Sequence, residues 1–276
     1  MPVITFWNGT KEHCGTTSSS VAFATQLAIE HNIKILLITT SFNDSLVYDC
    51  FWKKTQNSLF FTKVSHGVET AGIEGLNRLI RSNRIIPNVI TDYTRVVLTG
   101  RLEILLGVEK NTEQFNLVKE SYAHIIDQAA KYYDMVVVDL DNEIGERSVE
   151  EVLKKSDMVV TMISQRSSNI IRTKELIEQR DYLGEQKTLI TIGNYRNESK
   201  YNAKNISRNL LKKKNIINTI PYNNLFFEAS QEGKVIDLFL KLMSLNENNE
   251  NYVFIAELKR LYENINMKLR MSKMMR

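Results

Sequence analysis

Short apolar runs recur along the chain, separated by stretches with helical spacing. They fall at residues 3–7 (VITFW), 33–40 (IKILLITT), 134–140 (DMVVVDL), 157–164 (DMVVTMIS) and 187–194 (KTLITIGN). Continuous apolar runs of this length suit strands covered on both faces, as in a parallel sheet. Between them, Val21, Ala24, Leu27 and Ala28 share one helical face. Val149, Val152 and Leu153 share another, with Ser148 predicted as the N-cap. Strand, helix, strand repeated this way predicts an α/β fold: a doubly wound, mainly parallel sheet flanked by helices.

Residues 55–110 carry a weaker pattern. GIEGLNRLIRSN reads as helix, and GRLEILLG (residues 100–107) as a short buried strand between glycines. The polar run NENNENY (residues 246–252) separates the body from a last helix. In that helix Ile255, Leu258, Leu261, Tyr262, Ile265 and Leu269 keep three-four spacing and predict packing on the body. Met267, Met271, Met274 and Met275 gather on one side of its extension, with Lys268, Arg270, Lys273 and Arg276 on the others. The expected division is 1–245 as the main domain and 246–276 as a C-terminal helix with a basic, Met-rich tail.

Composition adds limits. The 276 residues are 43% hydrophobic and 25% charged, which is globular and implies a sizeable core. No apolar run approaches the roughly 20 residues that span a bilayer. The stretch MPVITFWNG lacks a basic leader and a long apolar segment, so a secretory signal is not expected. Cys14 and Cys50 have no metal-ligand spacing and suit a reducing cytosol. A net charge of +4 is too small to imply nucleic-acid binding by itself. The charge is uneven, though. Arg196, Lys200, Lys204, Arg208, Lys212, Lys213 and Lys214 stand against one acid, Glu198. That run reads as a solvated helix face, with DNA contact as the less favoured alternative.

Candidate chemistry sits between the first strand and the first helix, in FWNGTKEHCGTTSSS. A phosphate loop works because backbone N–H groups and a helix N-terminus converge on an anion. A lysine reaches the outer phosphates, and the hydroxyl after it binds magnesium. Here Gly15 opens the helix and Thr17 can supply the hydroxyl, but Thr16 stands where the lysine belongs. Another lysine, Lys11, lies five residues earlier.

This arrangement resembles the deviant phosphate loop of the ParA/MinD family of ATPases, whose pattern is K-G-G-x-G-K-[ST]-[ST]. Laid over residues 11–18, the pattern's signature lysine matches Lys11, its loop glycine Gly15, and its two hydroxyls Thr17 and Ser18. Glu12 and His13 replace two glycines, and Thr16 replaces the phosphate-gripping lysine. Further matches fall in order over residues 3–240. YYDMVVVDLDNEIG is similar to the segment that ends in a magnesium-holding aspartate, here Asp139, and KSDMVVTMISQ to the next core strand. LITIGNY ends where the family's adenine-contacting asparagine stands, here Asn194, and IINTIPYNNLFFEASQEGKVI resembles the segment around the family's proline, here Pro221. YTRVVLTGRLEILLG looks more specifically like the CpaE/TadZ-like branch that localises pilus assembly.

The resemblance implies a P-loop NTPase-like fold with ATP and Mg2+ as cofactors. It implies nucleotide contacts from Lys11, Gly15, Thr16, Thr17, Ser18, Asn194 and Pro221, and metal contacts from Thr17 and Asp139. Lys11 and Asp44 are the implied catalytic residues: Lys11 reaches a partner's nucleotide or bends back into its own site, and Asp44 takes a switch-region role. The family's second strand ends in an aspartate, whereas Thr39 stands here. Two missing charges, at Thr16 and Thr39, imply weak binding and slow or absent hydrolysis.

The expected function is nucleotide-dependent positioning, in pilus or secretion-system localisation. A pseudo-ATPase structural adaptor and a DNA-partition ATPase are the alternatives. Expected partners are a second copy in a homodimer, an unidentified protein complex and a membrane surface reached through the tail. Expected localisation is cytoplasmic, with a peripheral place at the inner face of the membrane.

Overall fold

The computed structural model describes all residues except 11, 43–44, 54–71, 83–85, 109–111, 211–216, 246–248 and 275–276. Its first half runs β1 (Val3–Trp7), α1 (Thr16–Glu30), β2 (Ile35–Thr39), α2 (Leu46–Phe51), α3 (Ile73–Arg81), β3 (Arg95–Leu98), β4 (Leu102–Leu105), α4 (Thr112–Val118), α5 (Tyr122–Ala129) and β5 (Met135–Leu140). It continues through α6 (Glu146–Lys155), β6 (Met158–Ile163), α7 (Ser167–Glu178), β7 (Thr188–Tyr195), α8 (Ala203–Leu210), β8 (Asn218–Pro221), α9 (Asn224–Glu232), α10 (Val235–Leu242) and α11 (Tyr252–Met274).

The strands form one eight-stranded sheet in the order β3-β4-β2-β5-β1-β6-β7-β8. All neighbours are parallel except β3 and β4, which form an antiparallel hairpin at one edge. The expected doubly wound, helix-flanked sheet is what the chain forms. Side chains alternate along each strand, so each strand feeds two cores. Ile4, Phe6, Ile35, Leu37 and Val137 enter the core that contains α1, α10 and α11. Val3, Trp7, Leu36, Ile38, Val136 and Val138 enter the one that contains α3, α5 and α6. Each fully buried large apolar side chain contributes roughly 1.5–3 kcal/mol, which is why these strands read as unbroken apolar runs.

β1 lies between β5 and β6, and the chain leaves β1 toward β2 on one side and returns to β6 on the other. Strand order therefore reverses at β1, which opens a crevice at the carboxyl ends of the strands. The loop between β1 and α1 sits in that crevice.

Several local expectations change. α1 is not amphipathic in place: Ser19 through Ala28 are all buried, because α10 and α11 cover the side that the sheet leaves open. α6 begins at Glu146 after Gly145 (φ +89°), so Ser148 is a buried interior residue and not the N-cap. The turn at Gly145 starts the helix early and puts Glu146 in its first turn, where the helix dipole favours an acid. Tyr133 is buried beside β5, whereas Tyr132 is exposed.

α11 buries Phe254, Ile255, Leu258, Leu261 and Ile265. Lys268 does not face solvent with the other basic residues of the tail. Its Nζ donates to the carbonyl oxygens of Glu185 (2.5 Å) and Thr188 (2.8 Å), and burial lowers its pKa, with Glu185 opposing. Among the described residues, no helix is long and apolar enough to cross a membrane. Met275, Arg276 and the lysines at 212–214 lie outside the described residues.

Candidate nucleotide site

β1 ends at Trp7, and the chain crosses the sheet edge in eight residues before α1 starts at Thr16. Gly15 makes the turn in a left-handed conformation (φ +69°), and its carbonyl accepts from Ser19 N (2.9 Å). No acid occupies the first turn of α1. The first-turn N–H groups of Thr16, Thr17 and Ser18 have no partner within the helix, which is the elementary requirement for an anion site.

The loop before Gly15 is held by its own side chains. Asn8 Oδ1 accepts from both Thr10 N and Thr10 Oγ1, each at 2.9 Å. Asn8 Nδ2 donates to the Glu12 carbonyl oxygen and to Cys14 Sγ. Glu12 N donates to Thr10 Oγ1 (3.3 Å), which also accepts from Asn169 Nδ2 (2.6 Å). The Glu12 carboxylate accepts from Ser164 Oγ (3.0 Å), and Asn169 Oδ1 accepts from Ser164 N (2.9 Å). On the other side Asn142 Nδ2 donates to the Asn8 carbonyl oxygen (2.7 Å), and Trp7 Nε1 donates to Asn142 Oδ1 (2.9 Å). The Glu12 N–H, where the family pattern has a glycine, is thus already used within the loop. Glu12 adds a negative charge to the same loop.

Burial, with help from the Glu12 carboxylate, pushes the Cys14 thiol up to about 12. It is a neutral, buried thiol and offers no nucleophile.

Asp139 stands near the carboxyl end of β5 and is buried. It is in register with Phe6 of β1 on one side and with Thr39 of β2 on the other. The pair of strand ends therefore carries one carboxylate and one hydroxyl. Thr40 Oγ1 donates to the Asp139 carbonyl oxygen (3.3 Å) and accepts from Asp141 N (2.8 Å), fixing the turn. Among the described residues no three His, Cys, Asp or Glu side chains gather as metal ligands. A hard cation here would depend on the Thr17 hydroxyl, Asp139 and phosphate oxygens. Oxygen donors of this kind suit a hard cation such as magnesium.

The other expected contacts converge on one cleft. Ser18, Asn194 and Pro221 line it together. Asn194, the residue before the last of β7, takes a left-handed conformation (φ 48°), and its amide lies against Gly15: a Cβ on Gly15 would stand 2.9 Å from it. Two aromatic residues that sequence reading missed, Tyr222 and Phe227, complete the wall. Their ring centroids are 6.4 Å apart, and the rings are 47% and 52% exposed, so they can move. The cleft is small, about 40 Å3, and opens to solvent past these two rings. Lys11 and Asp44, the expected catalytic residues, lie outside the described residues.

No family model matches the sequence, and no curated protein matches it. Solved structures do match. A ParA family ATPase from Chlorobium tepidum superposes with a TM-score of 0.64 at 14% identity, covering 87% of this chain and 98% of that one. The fold is that of the ParA and MinD ATPases. The septum site-determining protein MinD of Pyrococcus horikoshii, complexed with Mg-ADP, gives 0.62 at 12% identity over 97% of this chain and 98% of its own. A putative plasmid partition protein of Borrelia burgdorferi bound to AMPPNP gives 0.63 at 15% identity over 99% of both chains. On this ParA/MinD-type fold, the β1–α1 loop and the Asn194–Pro221 cleft occupy the crevice where strand order reverses, the usual ligand position in doubly wound sheets.

Proposed function

We propose that the chain is a nucleotide-dependent positioning protein with a degenerate phosphate loop, one that binds ATP with Mg2+ weakly and hydrolyses it slowly or not at all. The observation that carries this reading is the loop itself. It keeps the Gly15 turn and the helix start, yet Thr16 brings no charge, and Glu12 is turned inward on Ser164. In the proposed roles Gly15, Thr16, Thr17 and Ser18 hold phosphate, Thr17 and Asp139 hold magnesium, and Asn194 with Pro221 borders the base. Bound magnesium would supply charge neutralisation at the outer phosphates. Lys11 would supply the remaining positive charge, in its own site or across a two-fold homodimer with the loops facing, and Asp44 would serve in the switch region.

Residues 1–245 are proposed as the nucleotide-binding domain and 246–276 as a C-terminal helix and tail that α11 ties to it. The setting is cytoplasmic. Pilus or secretion-system localisation is favoured by the resemblance of residues 93–107 to the CpaE/TadZ-like branch.

The self-satisfied hydrogen bonding of the loop favours one second reading, a structural adaptor that keeps the fold without turnover. A steady-state ATPase assay separates the readings. The positioning protein is expected to show slow turnover that Lys11→Ala abolishes or, without turnover, self-association that depends on ATP and Mg2+, and the adaptor neither. Brisk turnover that Lys11→Ala leaves unchanged rules out both.

A further inference from the structure

The outward side of α11 carries an exposed stripe that no other described residue covers. Tyr262, Glu263, Met267, Arg270, Met271 and Met274 line one shallow groove along it. Met267, Met271 and Met274 are 41%, 49% and 86% exposed, although the same helix buries Phe254, Ile255, Leu258, Leu261 and Ile265 on its other side.

The pattern on this stripe is self-complementary when read backwards. Glu263 and Arg270 are seven residues apart, so they lie within about 20° of each other around the helix and roughly 10 Å apart along it. The midpoint between them falls between Asn266 and Met267. Inversion about that midpoint carries Glu263 onto Arg270 and Asn266 onto Met267. Neither Glu263 nor Arg270 makes a salt bridge among the described residues, whereas the neighbouring Lys259 is engaged by Glu30 (2.9 Å) and Arg260 by Glu257 (3.4 Å).

We propose that this face pairs with the same face of a second copy of the chain, antiparallel, about a two-fold axis passing between Asn266 and Met267. Each Glu263 then faces Arg270 of the partner subunit, giving two ion pairs on the centre line. The two Met267 side chains meet beside the axis. The same patch on both copies satisfies the requirement of a closed two-fold contact. Helix axes 8–10 Å apart accommodate side chains of this size.

Two observations favour a second copy over a lipid surface. Glu263 sits in the middle of the apolar stripe, where it would oppose anionic headgroups. Lys268, which would otherwise serve as a headgroup contact, is committed to the Glu185 and Thr188 carbonyl oxygens. About four helical turns bury well below the roughly 1,600 Å2 of a standard stable interface. The pairing is therefore a weak, concentration-driven equilibrium. It needs no nucleotide, and it uses a face other than the β1–α1 loop.

Sedimentation equilibrium of the full chain without nucleotide tests this. The wild type is expected to self-associate as concentration rises, less so at high salt. Glu263→Arg and Arg270→Glu each place like charges opposite one another, and each is expected to weaken association about tenfold or more. The double swap rebuilds both pairs with reversed sign and is expected to restore association to within about threefold of wild type. Both side chains are exposed, so each variant retains the fold, which its melting curve verifies. A wild type that stays monomeric at every concentration overturns the proposal, as does a double swap no better than the single variants. A monomeric wild type that co-sediments with phosphatidylglycerol vesicles overturns it in favour of a membrane.

Discussion

Gly193 of β7 lies directly against the carbonyl oxygen of Cys14: a Cβ at Gly193 would stand 2.0 Å from that oxygen. The strand that delivers Asn194 and the loop that precedes α1 are thus in backbone contact, with no room for a methyl group. Met162 would be met at 2.7 Å as well. Gly193→Ala must push the loop off the sheet. The expected cost is about 1–3 kcal/mol of stability, with nucleotide binding lost at the same time. Thermal unfolding checks it, and an unchanged melting temperature would count against the close approach.

Glu12 bears on affinity independently of the missing lysine. Its carboxylate is fixed by Ser164 within the loop that would hold phosphate. At an effective dielectric near 20, a like charge roughly 8–10 Å away costs about 1–2 kcal/mol. Glu12→Gln, which keeps the shape and the hydrogen bond, is expected to tighten ATP and ADP binding about tenfold. Titration of both nucleotides against the variant measures this; equal affinities for variant and wild type would show that the charge does not reach the phosphates.

The Tyr222–Phe227 pair is expected to matter to binding and not to folding. Both rings are about half exposed, so truncation removes little core. If the base stacks there, each ring contributes about 1–3 kcal/mol. Phe227→Ala and Tyr222→Ala should therefore weaken nucleotide binding while melting temperatures stay close to wild type. A loss of stability without a loss of affinity would place the base elsewhere.

Far from the site, Glu103 sets a pH dependence. It is buried on β4, accepting from Tyr133 Oη (2.5 Å) and Thr94 Oγ1 (2.8 Å) and pairing with Lys34 (2.9 Å). Burial alone would raise its pKa, but the hydrogen bonds from Tyr133, Lys34 and Thr94 outweigh it and hold the carboxyl below its usual range. A depressed folded pKa means stability that is present above the unfolded pKa, about 4.3. It is lost as pH falls through the lower folded value. Glu103→Gln is expected to cost about 1–3 kcal/mol at neutral pH and to flatten the acid limb of the stability curve. Urea midpoints between neutral and acid pH read both effects, and parallel curves would contradict the assignment.

What was legible in the sequence follows from burial. β1, β2, β5, β6 and β7 are covered on both faces, so their apolar runs declare them. β3 does not declare itself, because it is a four-residue edge strand whose Arg95 and Val96 are exposed. Glu103 interrupts β4 without exposing it, since its partners come from residues 34, 94 and 133. At the candidate site, the family pattern pointed to Gly15, Asn194 and Pro221, which the structure brings together around one cleft. The scaffold of Asn8, Asn142, Ser164 and Asn169 was not, because it links positions up to 159 residues apart and has no period. The Asn8–Thr10 contact is a local Asx turn that the NGT triplet could have suggested. Lys268 looked like a solvent-facing base because its acceptors are backbone carbonyls, which no side-chain pattern records.

The central claim is that the loop lacks the charge that would grip a triphosphate, and calorimetry of Thr16→Lys against wild type with ATP and Mg2+ tests it most directly. One charge-assisted hydrogen bond restored at that position is worth roughly 1.5–3 kcal/mol. The account predicts weak wild-type binding and affinity about 10–100-fold tighter in the variant. Tight wild-type binding that Thr16→Lys leaves unchanged or weakens would contradict it.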